Sequence, residues 1–342
     1  MASLSTPVCG ALGIDHPVAQ APIGSLTCPE LAAAVSNAGG LGTLAVSWRD
    51  LAETREAVER TRSLTDQPFA VNLVLDDRTV EVPVEDHLEA VLEAGAPIAS
   101  FSFGDPAPHV DRCRSADVPV IAMVGSAAEA TDVVDAGVDV VVAQGAESGG
   151  HLDSDVSTMA LVPRVVDAVP EVPVLAAGGV GDGRGLAASL ALGADGVWLG
   201  TRFVATSEAA GHEAYKRAIV EASETETVRS SLFDGGWPDR PHRTLATDVV
   251  EAWDAAGRPP SGDRPGDGDT VAELPDGTVV ERYDDLPPIE GVAGDPDALP
   301  HYAGQSAGTT DAVEPAGEVV RSLVATAAQA IERASGAVGR DR

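Results

Sequence analysis

Lysine is almost missing from this chain. Lys216 is the only one in 342 residues, and every other basic side chain is an arginine. Basic residues total 22 against 54 acids, for a net charge of −32. The acids are spread over every segment, so they form no local binding patch. A field of that sign repels phosphates and argues against a nucleic-acid partner. Dense hydrated carboxylates with little lysine fit a protein working in near-saturated salt, where ions screen the self-repulsion. We read the chain as a cytoplasmic protein of a halophile. Aromatics are also scarce, at 4%, so the core must be built from Ala, Val, Leu and Ile. The three cysteines, Cys9, Cys28 and Cys113, form an odd set without CxxC spacing. They suggest neither a disulfide framework nor a metal site, and are taken as idle thiols. No apolar run reaches the roughly 18 residues of a membrane span. The opening MASLSTPVCG lacks the basic and apolar regions of a secretory signal.

What the chain does have is a repeating pattern. Eight short apolar runs occur at 16–23, 41–48, 68–75, 97–104, 118–125, 138–145, 172–179 and 195–203. Most are continuously apolar, as parallel strands buried on both faces require. Helix signals alternate with them. Pro29 opens a segment that stops at Gly39-Gly40, and Ser126 with Glu129 forms a capping-box pattern that ends at Gly137. Residues 84–95 and 182–192 repeat the theme. Eight strand–helix units predict a (β/α)₈ TIM barrel over 1–206, with a doubly wound sheet as the alternative. Residues 207–314 read as an added, mostly helical domain. It opens with a helix over 207–225 and contains a Pro/Gly/Asp-rich stretch, 254–300, expected to be a long loop or poorly ordered. An amphipathic helix in 315–342 is expected to pack back on the barrel.

Barrel enzymes place their sites at the carboxyl ends of the strands. The first run ends in Ala21-Pro22-Ile23. The seventh ends at Gly178-Gly179 and the eighth in Gly200-Thr201. Paired glycine turns at those two strands fit the phosphate site that barrels commonly build there, because bare backbone can approach an anion closely. Asn72 and Gln144 are amides, able both to donate and to accept, which suits the mixed edge of a flavin ring. The sixth run leads through the flexible-looking loop Gly145-Ala-Glu-Ser-Gly-Gly to His151. Histidine is the side chain whose ordinary pKa suits proton transfer near neutrality, so His151 is the candidate catalyst.

The blocks AQAPIGSLTCPELAAAVSNAGGLGTL, FAVNLVL, AQGAESGGH, STMALVP, VLAAGGVGDGRGLAASLALGADGVWLGTRF and HYAGQSAG resemble the nitronate monooxygenase family in sequence and order. The resemblance covers nearly the whole chain and is weakest over 254–300. It implies an FMN-dependent (β/α)₈ barrel that oxidises alkyl nitronates with O₂ to a carbonyl compound and nitrite. It implies that Ala21, Pro22 and Ile23 lie along the flavin, that Asn72 and Gln144 bond its ring or ribityl chain, and that Gly149 packs close to it. Gly178, Gly179, Trp198, Leu199, Gly200 and Thr201 would line the phosphate end, with His151 as base or substrate-orienting residue. The glycines before His151 would make room for the flavin. Two positions depart from the family pattern. Leu152-Asp153-Ser154-Asp155 follows the histidine where Arg-Gly is common, and Met123-Val124 stands where a basic residue often does. Both remove a cation from the substrate side.

The SGGH and TMALVP blocks also resemble the FMN-dependent enoyl-acyl-carrier-protein reductases, which take hydride from NAD(P)H. A reading from another class is a non-catalytic flavin-binding protein using 254–300 to meet a partner. The implied partners are a small substrate and O₂, with neither a membrane nor a metal, and a homo-oligomer is left open.

Overall fold

The computed structural model describes residues 4–337. Eight parallel strands form one sheet: β1 (Val18–Gln20), β2 (Gly42–Ala45), β3 (Phe69–Val74), β4 (Ile98–Ser102), β5 (Val120–Val124), β6 (Val140–Gln144), β8 (Val174–Ala177) and β9 (Gly196–Leu199). Each lies inside one of the eight apolar runs. The sheet order is β1-β9-β8-β6-β5-β4-β3-β2. A parallel bridge between Ala19 and Leu41 brings its two edges together, with Leu41 N–H donating to Val18 O at 2.9 Å and Gln20 N–H to Leu41 O at 2.8 Å. The result is a TIM barrel rather than an open doubly wound sheet.

Helices alternate with the strands: α2 (Pro29–Asn37), α3 (Leu51–Leu64), α4 (Val84–Glu93), α5 (Ala107–Arg114), α6 (Ala127–Asp135), α7 (Thr158–Ala168) and α8 (Gly183–Ala191). The capping box falls on α3, where Asp50 accepts from Ala52 and Glu53 N–H groups and Glu53 accepts from Asp50 N–H. At α6, Ser126 caps as expected, but Glu129 accepts from Gly125 N–H instead of completing the box. A first helix, α1 (Pro7–Leu12), buries Val8, Cys9 and Leu12 against inward side chains of the barrel such as Ile98, Ile121, Val140 and Leu175. Each of these four is the first or second residue of its strand, so α1 covers the amino-terminal end and leaves the carboxyl end free.

The barrel core is aliphatic, as the lack of aromatics requires. Cys9 and Cys113 are buried thiols, and burial pushes the Cys113 thiol up to about 11. The long final helix α12 (Ala316–Ala337) packs Val319, Val320, Leu323, Val324 and Ala327 onto the barrel side. Gly183 permits this, because a Cβ there would lie 2.4 Å from Ala327 N.

The region between barrel and α12 departs from a mostly helical domain. After the short α9 (Thr201–Val204), the helix expected over 207–225 is confined to α10 (Glu213–Glu221), with His212 Nδ1 accepting from Ala214 N–H at its start. Strands β10 (Thr227–Ser230) and β11 (His242–Leu245) follow, then α11 (Asp248–Ala255). Residues 254–300, expected to be a long or poorly ordered loop, carry a three-stranded antiparallel sheet of β12 (Thr270–Glu273), β13 (Val279–Glu281) and β14 (Ala293–Gly294). Ala272, Val280 and Leu299 form a small core beneath it. Composition hid these strands because each is only a few residues long and its Gly-rich flanks dominate the local pattern. No helix among the described residues is long and apolar enough to cross a membrane.

Candidate active site

A cavity of about 550 Å³ opens at the carboxyl ends of the barrel strands. Every site residue proposed from sequence lines it: Ala21, Pro22, Ile23, Asn72, Gln144, Gly149, His151, Gly178, Gly179, Trp198, Leu199, Gly200 and Thr201. At one end Gly178 and Gly179 adopt left-handed φ values of 101° and 71°, which favour glycine. No protein acceptor among the described residues takes the N–H of Gly179 or Val180. Gly200 opens α9, and Thr201 Oγ1 accepts from Gly304 N–H at 2.9 Å. Bare backbone donors and a helix start, enclosed beside apolar walls from Ala21, Ile23 and Trp198, suit the phosphate and ring of a flavin.

The loop from Gln144 to His151 is not the flexible tether its glycines suggest. Gln144 Nε2 donates to His151 O at 3.0 Å, and Asp153 N–H donates to Gln144 Oε1 at 3.1 Å. Arg243 donates to Ala146 O at 2.8 Å, and Glu147 accepts from Thr158 N–H at 2.8 Å. Gly150–His151 form strand β7, which pairs antiparallel with β11 so that His151 stands opposite His242. The Gly149 Cβ position lies 2.4 Å from Gly304 N and 2.5 Å from Ala303 C. The close approach at that glycine is therefore to protein backbone, while Gly150 supplies a turn with φ of 74°. Asn72 likewise has structural partners: its Nδ2 donates to Ser102 Oγ and its Oδ1 accepts from Ser100 Oγ. Both amides retain a second hydrogen or lone pair for a ligand.

His151 sits in an aromatic box. Its ring stacks on Trp237, with centroids 4.1 Å apart, and meets Phe103, His242 and Tyr302 at 6.4, 5.6 and 5.3 Å. Burial holds its pKa well below the ordinary value, and the neighbouring His242 and Arg240 add to the effect. The ring is thus neutral near pH 7, and its Nε2 has no protein partner. Half of the chain's twelve aromatic side chains line this cavity: Trp48, Phe103, Trp198, Tyr215, Trp237 and Tyr302. Sequence reasoning had singled out only Trp198. Their scarcity was the available signal, since a chain so poor in aromatics places them where flat surface is needed.

The cation missing after His151 is supplied from elsewhere but is fully engaged. Arg240 packs over Phe103 and Trp237, at 4.9 and 5.8 Å to the ring centroids. Its guanidinium is shared between Asp76, at 3.1 Å, and Asp153. Leu152 is buried, and Ser154 Oγ donates to Gly125 O at 2.8 Å. The unusual Leu-Asp-Ser-Asp segment therefore anchors the loop. Phe103 holds a left-handed φ of 63° at the end of β4, a strained conformation for a bulky residue.

A sequence model of nitronate monooxygenases matches residues 5–326. The chain belongs to the nitronate monooxygenase family. It is a flavin oxidoreductase. A probable nitronate monooxygenase of Staphylococcus saprophyticus is 37% identical over 289 residues, spanning 72% of this chain and 80% of that protein. A Mycobacterium tuberculosis relative is 39% identical over 257 residues, 75% of this chain and 70% of its own length. It is described as (3aS,4S,5R,7aS)-5-hydroxy-7a-methyl-1-oxo-octahydro-1H-indene-4-carboxyl-CoA dehydrogenase. The structure of FabK from Thermotoga maritima superposes with a TM-score of 0.80 at 30% identity, covering 98% of this chain and all of that one. The family thus carries more than one reaction on a common barrel, and the substrate has to be argued from the site.

Proposed function

We propose that the protein binds FMN and oxidises alkyl nitronates with O₂ to carbonyl compounds and nitrite. The observation that carries this reading is the neutral, desolvated His151 with an unpartnered Nε2, held over a cavity whose far end presents bare glycine backbone to a phosphate. The glycine turns at 178–179 and 200 would hold the phosphate, and Ala21-Pro22-Ile23 would lie along the ring. Bound there, the flavin would supply the redox chemistry. His151 would orient the substrate, or take a proton from it, at Nε2. Its low pKa makes it a weak base, so orientation by a neutral ring is the larger part of its role. Trp237 and Phe103 would exclude water from the reacting face.

The second reading is an NAD(P)H-dependent enoyl reductase, supported by the likeness to FabK and by the thioester named for the mycobacterial relative. Both readings use the same cavity and differ in electron donor and acceptor. Protein purified in molar KCl separates them. A flavin spectrum with nitrite released from propyl nitronate, and no anaerobic bleaching by NADH, is the expected result. Rapid bleaching by NADH without nitrite overturns the monooxygenase reading in favour of a reductase.

A further inference from the structure

Asp285 belongs to the stretch whose composition read as an unstructured insertion, yet it lines the cavity that holds His151. The segment is fixed in place. Asp285 N–H donates to Gly235 O at 3.2 Å, and Asp284 forms a bridge with Gly235. A Cβ on Gly236 would lie 3.0 Å from Asp285 Oδ1, so the carboxyl rests against bare backbone. Tyr302 lines the same cavity with a buried hydroxyl that has no protein partner, as does His151 with its Nε2.

Charge makes the arrangement unusual. The cavity wall carries Arg49, Asp50, Glu81 and Asp285. Arg240 is committed to Asp76 and Asp153, and no cation is among the groups acting on Asp285. An anionic substrate would therefore meet a carboxyl group where a cation is expected.

We propose that Asp285 works as the neutral acid and, with the Tyr302 hydroxyl, forms a donor pair that holds a substrate oxyanion beside His151. The class of ligand selected is a small, planar anion with its charge delocalised onto oxygen. A nitronate is one such group, and the enolate formed from a conjugated thioester is another. The inference deepens the proposed nitronate reading but requires only an oxyanion in the cavity.

Burial raises the Asp285 carboxyl to about 7, the charge of Asp284 adds to this, and the Trp237 indole opposes it. A carboxylic acid kept neutral by its site can donate a hydrogen bond to developing negative charge. Two histidines and a tyrosine near it are shifted away from that range. His151 on β7 and His242 on β11 are held neutral by burial, the latter at about 4. Tyr302 is pushed well above its ordinary value by burial and by Asp285 itself, so its hydroxyl remains a donor. Arg240 is paired with Asp76 and Asp153, and Arg49, Asp50 and Glu81 line the same wall.

The test uses flavin-loaded full-length protein and nitrate, a planar oxyanion, as the probe. Binding is followed by the shift of the visible flavin spectrum at constant KCl, from about pH 5.5 to 8.5, on either side of the carboxyl midpoint of about 7. Nitrate is expected to bind with constant affinity at the acid end and to weaken about tenfold per pH unit above the midpoint. Asp285→Asn, whose amide donates at every pH, is expected to bind without pH dependence. Tyr302→Phe is expected to bind more weakly at every pH. A flat profile in the wild type, a slope retained in Asp285→Asn, or no nitrate binding at the acid end overturns the proposal. Nitrite release from propyl nitronate is scored separately, so loss of the nitronate reading is distinguishable from loss of this one.

Discussion

On the proposed reading a histidine, a carboxyl and a few glycines set the chemistry, and each has a distinct physical signature. His151 stacks on Trp237 and carries an unpartnered Nε2, and the proposed function has it act there on the substrate. His151→Ala is expected to retain flavin and to lower turnover at least about a hundredfold. Steady-state rates on protein of matched flavin content check this, and unchanged turnover would remove His151 from the mechanism. Gly179 has a different task. Its φ of 71° is one that a β-branched residue adopts only with strain. Gly179→Val is expected to reduce flavin occupancy, measured by absorbance after dialysis. Full occupancy would place the phosphate elsewhere. Both residues were legible in the sequence, because their positions follow strand ends that the apolar runs had located. Trp237, Tyr302 and Asp285 were not. They reach the cavity from loops that carry no periodic pattern.

At the scale of elements, the site depends on how the added region grips the barrel. Strand β11 pairs with β7 and fixes His151, and Leu152 N–H donates to Pro241 O at 2.9 Å. Arg240, on the turn before β11, ties the loop after β3 to the loop after β6 through Asp76 and Asp153. Asp76 also pairs with Arg78 at 2.8 Å, so deleting Arg240 leaves Asp153, largely removed from water, as the carboxylate without a cation. Arg240→Gln is expected to cost about 3 kcal/mol of unfolding free energy in denaturant titrations, and to loosen the aromatic box as well. A change within experimental error would show the pairs to be solvated. The Gly-rich loop illustrates the limit of composition. Three glycines suggest mobility, but Gln144 and Glu147 fasten the segment to His151 and Thr158 nearby, and Arg243 fastens it from the added region.

For the whole molecule, charge dominates. With a net charge of −32, self-repulsion opposes compactness at low salt, and screening relieves it. The unfolding temperature is expected to rise steadily as KCl is raised from millimolar to molar levels. A flat response would mean that ion pairs already neutralise the field. Acid acts on a different set of groups. Burial holds His87, His151, His242 and His301 below their ordinary pKa. The stability they contribute is present above about pH 6.5 and is lost as pH falls through their folded values, about 4 for His242. Asp285 works in the opposite direction. Its raised folded pKa contributes stability below its unfolded value that is lost as pH rises through about 7. Asp285→Asn is therefore expected to lose stability more steeply than the wild type between about pH 6.5 and 4. Parallel curves in urea titrations would show that Asp285 is not neutral in the folded state.

The eight strands, the alternating helices, the carboxyl-end glycines and the position of the candidate histidine were determined by the sequence itself. Each rests on local rules: continuous apolar runs for strands buried on both faces, capping residues for helices, and glycine where backbone must turn or stand bare. Only the tertiary structure decided what surrounds the histidine. The β7–β11 pairing, the convergence of scarce aromatics, the capture of Arg240 by two aspartates and the arrival of Asp285 at the cavity join segments that are distant in sequence. Their energies come from desolvation and from contacts between those segments, quantities that exist only once the chain has closed on itself.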